Sequence, residues 1–131
     1  MHSFKTHSRT WRAYGNTNPI TSSRSTWACG TTEAVATNVL AQVCAVRSQS
    51  GGYVQAAVIV RNKRSGLFGA AAHLEMYDHN TGDQLNEWNC ASSGVAAHSW
   101  SVCFGETFPW AGLVSASGSV NNYNLYWSPD V

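Results

Sequence analysis

Phe68-Gly69-Ala70-Ala71-Ala72-His73-Leu74-Glu75-Met76-Tyr77 places Phe68, Ala70, Ala72, Leu74 and Met76 at every second position. Successive side chains of an extended chain point to opposite faces, so the stretch predicts a strand with one apolar and one polar face. His79-Asn80-Thr81-Gly82-Asp83 follows with hairpin-turn chemistry, Gly82 standing where positive φ is wanted, and Gln84 to Cys90 is the return strand. Upstream, Val39 to Val46 and Tyr53 to Val60 are separated by the turn Ser50-Gly51-Gly52. Downstream come Ala97 to Phe104, Gly112 to Ala116 and Tyr123 to Trp127, the last with Tyr123, Leu125 and Trp127 on one face. About seven strands with turn signals every ~8–14 residues predict an all-β, antiparallel β-sandwich, preferred over a barrel. Only Thr32 to Ala41 is ambiguous, since Thr32-Glu33-Ala34 is compatible with a helical turn.

Charge is unevenly distributed along the chain. All eight Lys and Arg residues lie at or before Arg64, with Glu33 the only acid there, a net of +7. Beyond it lie the other six acids and no Lys or Arg. Residues 1–25 carry Lys5, Arg9, Arg12 and Arg24 without an acid, lack strand or helix periodicity, and are interrupted by Gly15 and Pro19. They read as a basic, extended N-terminal arm bearing Phe4, Trp11 and Tyr14, mobile or loosely docked, or folded back through Arg9 and Arg12 on its own domain or a neighbouring molecule, ahead of a domain spanning 26–131. Arms of this kind serve to meet a partner.

Only 11% of residues are charged, a composition common in secreted proteins. The cysteines fall as two local pairs, Cys29 with Cys44 and Cys90 with Cys103, although three connectivities are possible. Local pairing is favoured because each bridge would join neighbouring elements, stabilising by about 3 kcal/mol through the loop it closes. A four-cysteine zinc site is disfavoured by gaps far longer than C-x-x-C. The expected location is therefore extracellular. No apolar run approaches the ~18 residues that span a bilayer, so no membrane insertion is expected. Without a secretory leader, Met1 is read as starting a mature form.

Chemistry-bearing patterns are sparse. No G-x-S-x-G elbow is present, and Asp78, Asp83, Glu87 and Glu106 lie beside turn signals, where solvated carboxylates are ordinary. No enzyme activity is expected. His73, Glu75 and Tyr77 share a strand face and two of them could ligate a metal, but a wet sheet face explains them equally. Asp78-x-Asn80-x-Gly82-Asp83 lacks the downstream bidentate Glu of a calcium loop. No metal and no cofactor are assigned. Nucleic acid is set aside because a pI near 7.7 is far from that of basic DNA-binding domains.

Among the aromatics, Trp100 and Trp127 sit on alternating faces and are expected in the core, while Trp27 packs near the Cys29 disulfide. Trp110 follows Phe108-Pro109 in a loop and is expected to be at least partly exposed. The candidate partner-binding residues are Arg9, Trp11, Arg12, Tyr14, Arg24 and Trp110.

Trp27-Ala28-Cys29-Gly30, Cys44, Gln55-Ala56-Ala57-Val58-Ile59-Val60 leading to Asn62, Cys90 and Cys103-Phe104 form an ordered series over about 75 residues. In this the chain resembles small secreted disulfide-bonded β proteins of filamentous actinobacteria. Among them it is similar to the adaptor subunit of umbrella-shaped toxin particles, which joins a spoke-bearing toxin subunit to lectin-bearing subunits. The resemblance implies that Phe4 to Ile20 inserts into a trypsin-like domain of a lectin subunit, with Arg9, Trp11, Arg12 and Tyr14 as anchors. From the residues alone comes a compatible expectation: a secreted, non-enzymatic module whose basic arm docks into an acidic groove. The alternatives are a carbohydrate-binding module using loop aromatics such as Trp110, a peptidase inhibitor using the arginines of the arm, and a hydrolase.

Overall fold

Backbone pairing follows the alternation read from the sequence. The computed structural model describes residues 5–131. In chain order its strands are β1 (His7–Arg9), β2 (Trp11–Gly15), β3 (Thr26–Cys29), β4 (Glu33–Ala36), β5 (Val39–Arg47) and β6 (Tyr53–Asn62). There follow β7 (Phe68–Asp78), β8 (Gln84–Val95), β9 (Ser99–Phe104), β10 (Phe108–Pro109), β11 (Val114–Val120) and β12 (Tyr123–Trp127). No helix occurs among the described residues, and so none is long and apolar enough to cross a membrane.

Two sheets pack face to face. The five-stranded sheet has the order β1-β8-β7-β11-β12. The seven-stranded sheet has the order β2-β9-β6-β5-β3, with β10 on β6 and β4 on β5. Every pair is antiparallel except β1 with β8. The expected strands are present as β5 to β9, β11 and β12, so the antiparallel sandwich is found. The ambiguous segment from Thr32 is strand β4, joined to β5 by a turn in which Asn38 takes φ 59°, a conformation Asn tolerates better than most residues.

The space between the sheets is filled from both sides by alternate residues. Val39, Ala41, Val43 and Ala45 of β5 and Val54, Ala56, Val58 and Val60 of β6 meet Ala70, Ala72, Leu74 and Met76 of β7. Strands β5 and β6 are also covered on their outer face, where Cys44, Val46, Ala57, Ile59 and Val102 pack against Tyr14, Ile20, Trp27, Trp100 and Phe104. Double coverage explains why Ala56 to Val60 is a continuous apolar run while β7, wet on one side, alternates cleanly. Cys29–Cys44 bridges β3 to β5, and Cys90–Cys103 ties β8 of one sheet to β9 of the other. Asn62, fully buried, donates to the carbonyls of Gly66, Val95 and Ala96 at 2.8, 3.0 and 3.2 Å and binds the end of β6 to the end of β8.

Three expectations are corrected. Trp127 is 52% exposed rather than buried. Tyr126 takes φ 63°, so the alternation that would place Trp127 beside the buried Leu125 is broken. Trp100 is half-buried on the outer cluster, and the large aromatic of the inner core is Trp88, with no exposure. Gly105 lies against its ring, where an added Cβ would come within 2.7 Å. Finally, the segment read as lacking strand periodicity forms strands from His7 to Gly15, so of the states expected for it the one found is folded back on its own domain. Its strand β1 joins the five-stranded sheet and β2 joins the seven-stranded one. Phe4, at the start of the expected inserting segment, lies outside the described residues.

Candidate functional site

The six expected contact residues are distributed by this pairing, not gathered. Arg9 is exposed and its Nε donates to the Phe104 carbonyl at 3.0 Å. Trp11 packs against the inner core and its Nε1 donates to the Ala91 carbonyl at 3.0 Å. These two therefore fasten β1 and β2 to the domain. Trp110 is half-buried as expected of a partly exposed loop ring, edge-on to Phe108, and its carbonyl accepts from Arg47 at 2.8 Å. Arg12 and Tyr14 remain together: the exposed guanidinium of Arg12 lies 4.9 Å from the Tyr14 ring centroid. Arg24 is exposed nearby in sequence to Ser22, Ser23 and Ser25, which with Arg12, Tyr14, Trp27 and Phe104 line a shallow depression of ≈ 270 Å³.

That depression belongs to a wider basic and aromatic surface on the outer face of the seven-stranded sheet. Arg61 of β6 pairs with Trp100 of β9 across the ladder, and its guanidinium lies 4.6 Å from the indole centroid. Trp27 meets Phe104 edge-on at 5.8 Å, and Tyr14 lies 6.4 Å from the same ring. Among the described residues no Lys or Arg pairs with an Asp or Glu; all three ion pairs involve histidine. Arg12 and Arg61 thus rest on aromatic faces with no carboxylate to neutralise them. Arg61 and Trp100 escaped the sequence reading because nothing local marks them as neighbours; a ladder register between β6 and β9 is needed.

The outer face of the five-stranded sheet is polar and carries carboxylates. His73, Glu75 and Tyr77 of β7 point out together, as the alternation predicts. Opposite them stand Asn89 and Glu87 of β8 on one side and Ser119, Ser117 and Ser115 of β11 on the other. His73 Nε2 lies 3.0 Å from Glu75 Oε1 and 3.4 Å from Glu87 Oε2. His73 Nδ1 lies 2.5 Å from Asn89 Oδ1, and the Tyr77 hydroxyl donates to Glu75 Oε2. Burial alone would lower the His73 pKa. The hydrogen bonds to Asn89 and Glu75, with the charges of Glu75 and Glu87, outweigh it and hold the pKa above its ordinary value. Burial and then the neighbouring Glu75 push the Tyr77 phenol up, so it stays a donor. Trp127 stands on Tyr77 with ring centroids 4.8 Å apart, half of its surface open to solvent.

Glu87 enters this cluster through a bulge. Tyr77 pairs with Gln84, but Met76 pairs with Asn86, so Leu85 is an extra residue. Without it Glu75 would face Asn86 and Glu87 would turn to the other face. Adjoining the cluster at His73 and Asn89, an open trough of ≈ 720 Å³ runs between Ser8, Arg9, Ser119 and Asn122.

Comparison with protein-family models, with curated proteins and with solved structures returns no match to this chain.

Proposed function

We propose that the protein is a secreted, non-enzymatic protein-binding module whose partner-facing surface is the outer face of the seven-stranded sheet. Arg12, Tyr14, Arg24, Arg61 and Trp100 are its contact residues, and the partner offers an acidic groove. The observation that carries this reading is the absence, among the described residues, of any acidic partner for Arg12 and Arg61, each laid over a half-buried aromatic. Arg, Trp and Tyr dominate the energetics of protein interfaces, and an arginine held on a ring loses less side-chain entropy on binding. The two disulfides support an extracellular location. In this reading the expected arm contributes through Arg12, Tyr14 and Arg24 as parts of a folded surface, while Arg9 and Trp11 hold the strands that carry them. An adaptor that joins two subunits of a secreted toxin complex, one trypsin-like and lectin-bearing, would use this face for one of them. A peptidase-inhibitor role would require residues 7–15 to leave both sheets.

The test is capture of the partner from the producing organism's culture fluid by immobilised wild-type protein and by the Arg12→Glu/Arg61→Glu variant. Wild type retains a partner that releases as salt rises, because exposed charges are screened over about 10 Å at 0.1 M. The double variant loses it. Equal capture by both proteins would refute the assignment of this face.

A second reading is favoured by one observation. Trp127, half exposed against Tyr77, whose hydroxyl donates to Glu75, has the make-up of a carbohydrate platform, an aromatic ring on a polar sheet face. It moves the carbohydrate alternative from Trp110 to the opposite sheet. Glycan-array binding abolished by Trp127→Ala would support it, and binding insensitive to that change would not.

A further inference from the structure

We infer that His73, Glu75 and Glu87 form a binding site for one divalent transition-metal ion of the zinc class on the outer face of the five-stranded sheet. This site is on the opposite face from the proposed protein-binding surface and does not depend on it. Three metal-ligating groups converge there, with their ligand atoms all within 4.8 Å of one another. Tetrahedral coordination with bonds of about 2.1 Å places neighbouring ligand atoms about 3.4 Å apart. The separations from His73 Nε2 to the two carboxylates, 3.0 and 3.4 Å, are already at that spacing.

Two further features point to a cation between these atoms. The first is the tautomer of His73. Its Nδ1 lies 2.5 Å from the Asn89 side-chain oxygen, which makes Nδ1 the donor, and whenever the ring is neutral Nε2 presents a bare lone pair. That lone pair is aimed at two carboxylate oxygens, an arrangement of acceptors only. Orientation of a ligating imidazole by a hydrogen bond from its other nitrogen is the usual support of metal-bound histidine. The second is the pairing of Glu75 directly with Glu87 across the β7–β8 ladder. Like charges so placed destabilise a sheet, and no Lys or Arg among the described residues is paired with either. The Tyr77 hydroxyl occupies Glu75 Oε2 and leaves Oε1 for the ion. One imidazole and two carboxylates suit zinc and its neighbours; calcium would want six or more oxygens. With His73, Glu75 and Glu87 all partly open to solvent, a fourth position is left for water or a ligand.

The rival occupant is a proton on Nε2, which would hold the same three atoms together. Titration of the chelator-stripped full chain with zinc chloride at pH 7.5, followed by calorimetry, separates the two. Cobalt(II) loading provides a second readout through the visible bands of a four-coordinate ion. The expected result is one saturable site, weakened at least tenfold in Glu87→Gln and His73→Ala. Asn89→Ala, which removes only the orienting bond, should weaken it by about tenfold. His79→Ala, at the separate His79–Asp130 pair, should bind as wild type. Circular dichroism confirms that each variant is folded. Absence of saturable binding, or binding in Glu87→Gln and His73→Ala at wild-type strength, overturns the inference.

Discussion

Replacing Trp11 with Ala tests whether residues 7–15 belong to the fold or merely lie beside it. Fully burying a Trp typically makes its truncation cost about 3–5 kcal/mol. Trp11 is only half-buried, which reduces the packing loss to about 2 kcal/mol. The indole also donates to the Ala91 carbonyl at 3.0 Å, a link from β2 to β8 across the two sheets worth about 1 kcal/mol. The expected loss is about 3 kcal/mol. Urea unfolding followed by circular dichroism avoids the change in tryptophan fluorescence. With a slope near 1.5 kcal/mol per molar, the midpoint should fall by about 2 M. Trp11→Phe, which keeps a ring but not the donor, should lose only about 1 kcal/mol. A Trp11→Ala midpoint within about 0.3 M of wild type, at unchanged slope, would show that these residues contribute no stability and that the pairing of β1 and β2 is dispensable.

Trp88→Ala should destabilise by about 3–5 kcal/mol, whereas Trp127→Ala, at a half-exposed ring, should cost less than about 1; the same urea titration compares them. Arg47 donates to the carbonyls of Gly51, Trp110, Gly112 and Val131, so Arg47→Met should cost about 3 kcal/mol and lower the melting temperature by well over 5 °C. In the presence of chelator, His73 should contribute to stability most fully below its ordinary pKa, because its folded-state pKa is raised, and this contribution should fade as pH rises through that higher value. The stability gap between wild type and His73→Gln measured from pH 5.5 to pH 9 should therefore narrow with pH, and a gap that widens would contradict the raised pKa.

Much of the architecture was legible because burial acts on alternate residues. Phe68 to Met76 named its own inner face, and Gly82, with φ 75°, sits in the left-handed region that the turn required. Cysteine spacing pointed to the two disulfides found. The failures share a cause: the period of two holds only while the backbone stays regular. Tyr126 at positive φ turns Trp127 outward, and the extra Leu85 brings Glu87 opposite Glu75. Neither irregularity has a Gly or Pro to announce it. Residues 1–25 misled for a different reason. Their composition is polar, yet β1 and β2 are edge strands, which need backbone pairing and a single large anchor rather than an apolar face. Trp11 supplies that anchor, and the exposed Arg9 and Arg12 suit sheet edges, where charge discourages pairing with other chains.

The charge asymmetry of the sequence becomes an asymmetry of faces through the topology. Strands β2 to β6 come from the basic part of the chain and lie in the seven-stranded sheet, while β7, β8, β11 and β12 come from the acidic part and lie in the five-stranded one; β1 crosses to the second, and β9 and β10, which carry no acid, to the first. Arg12 and Arg61 consequently project from one side of the sandwich and Glu75 and Glu87 from the other. Packed sheets stand about 10 Å apart, and side chains extend the outer faces to a separation of roughly 20 Å. That is about two screening lengths at 0.1 M salt, so each face presents its own sign to an approaching partner and the near-neutral net charge of +1 conceals both. A basic patch on such a molecule can steer an acidic protein without being cancelled by the carboxylates behind it. The same separation leaves the facing pair Glu75 and Glu87 beyond the reach of those arginines, and the charge between them has to come from the His73 proton or from a bound cation.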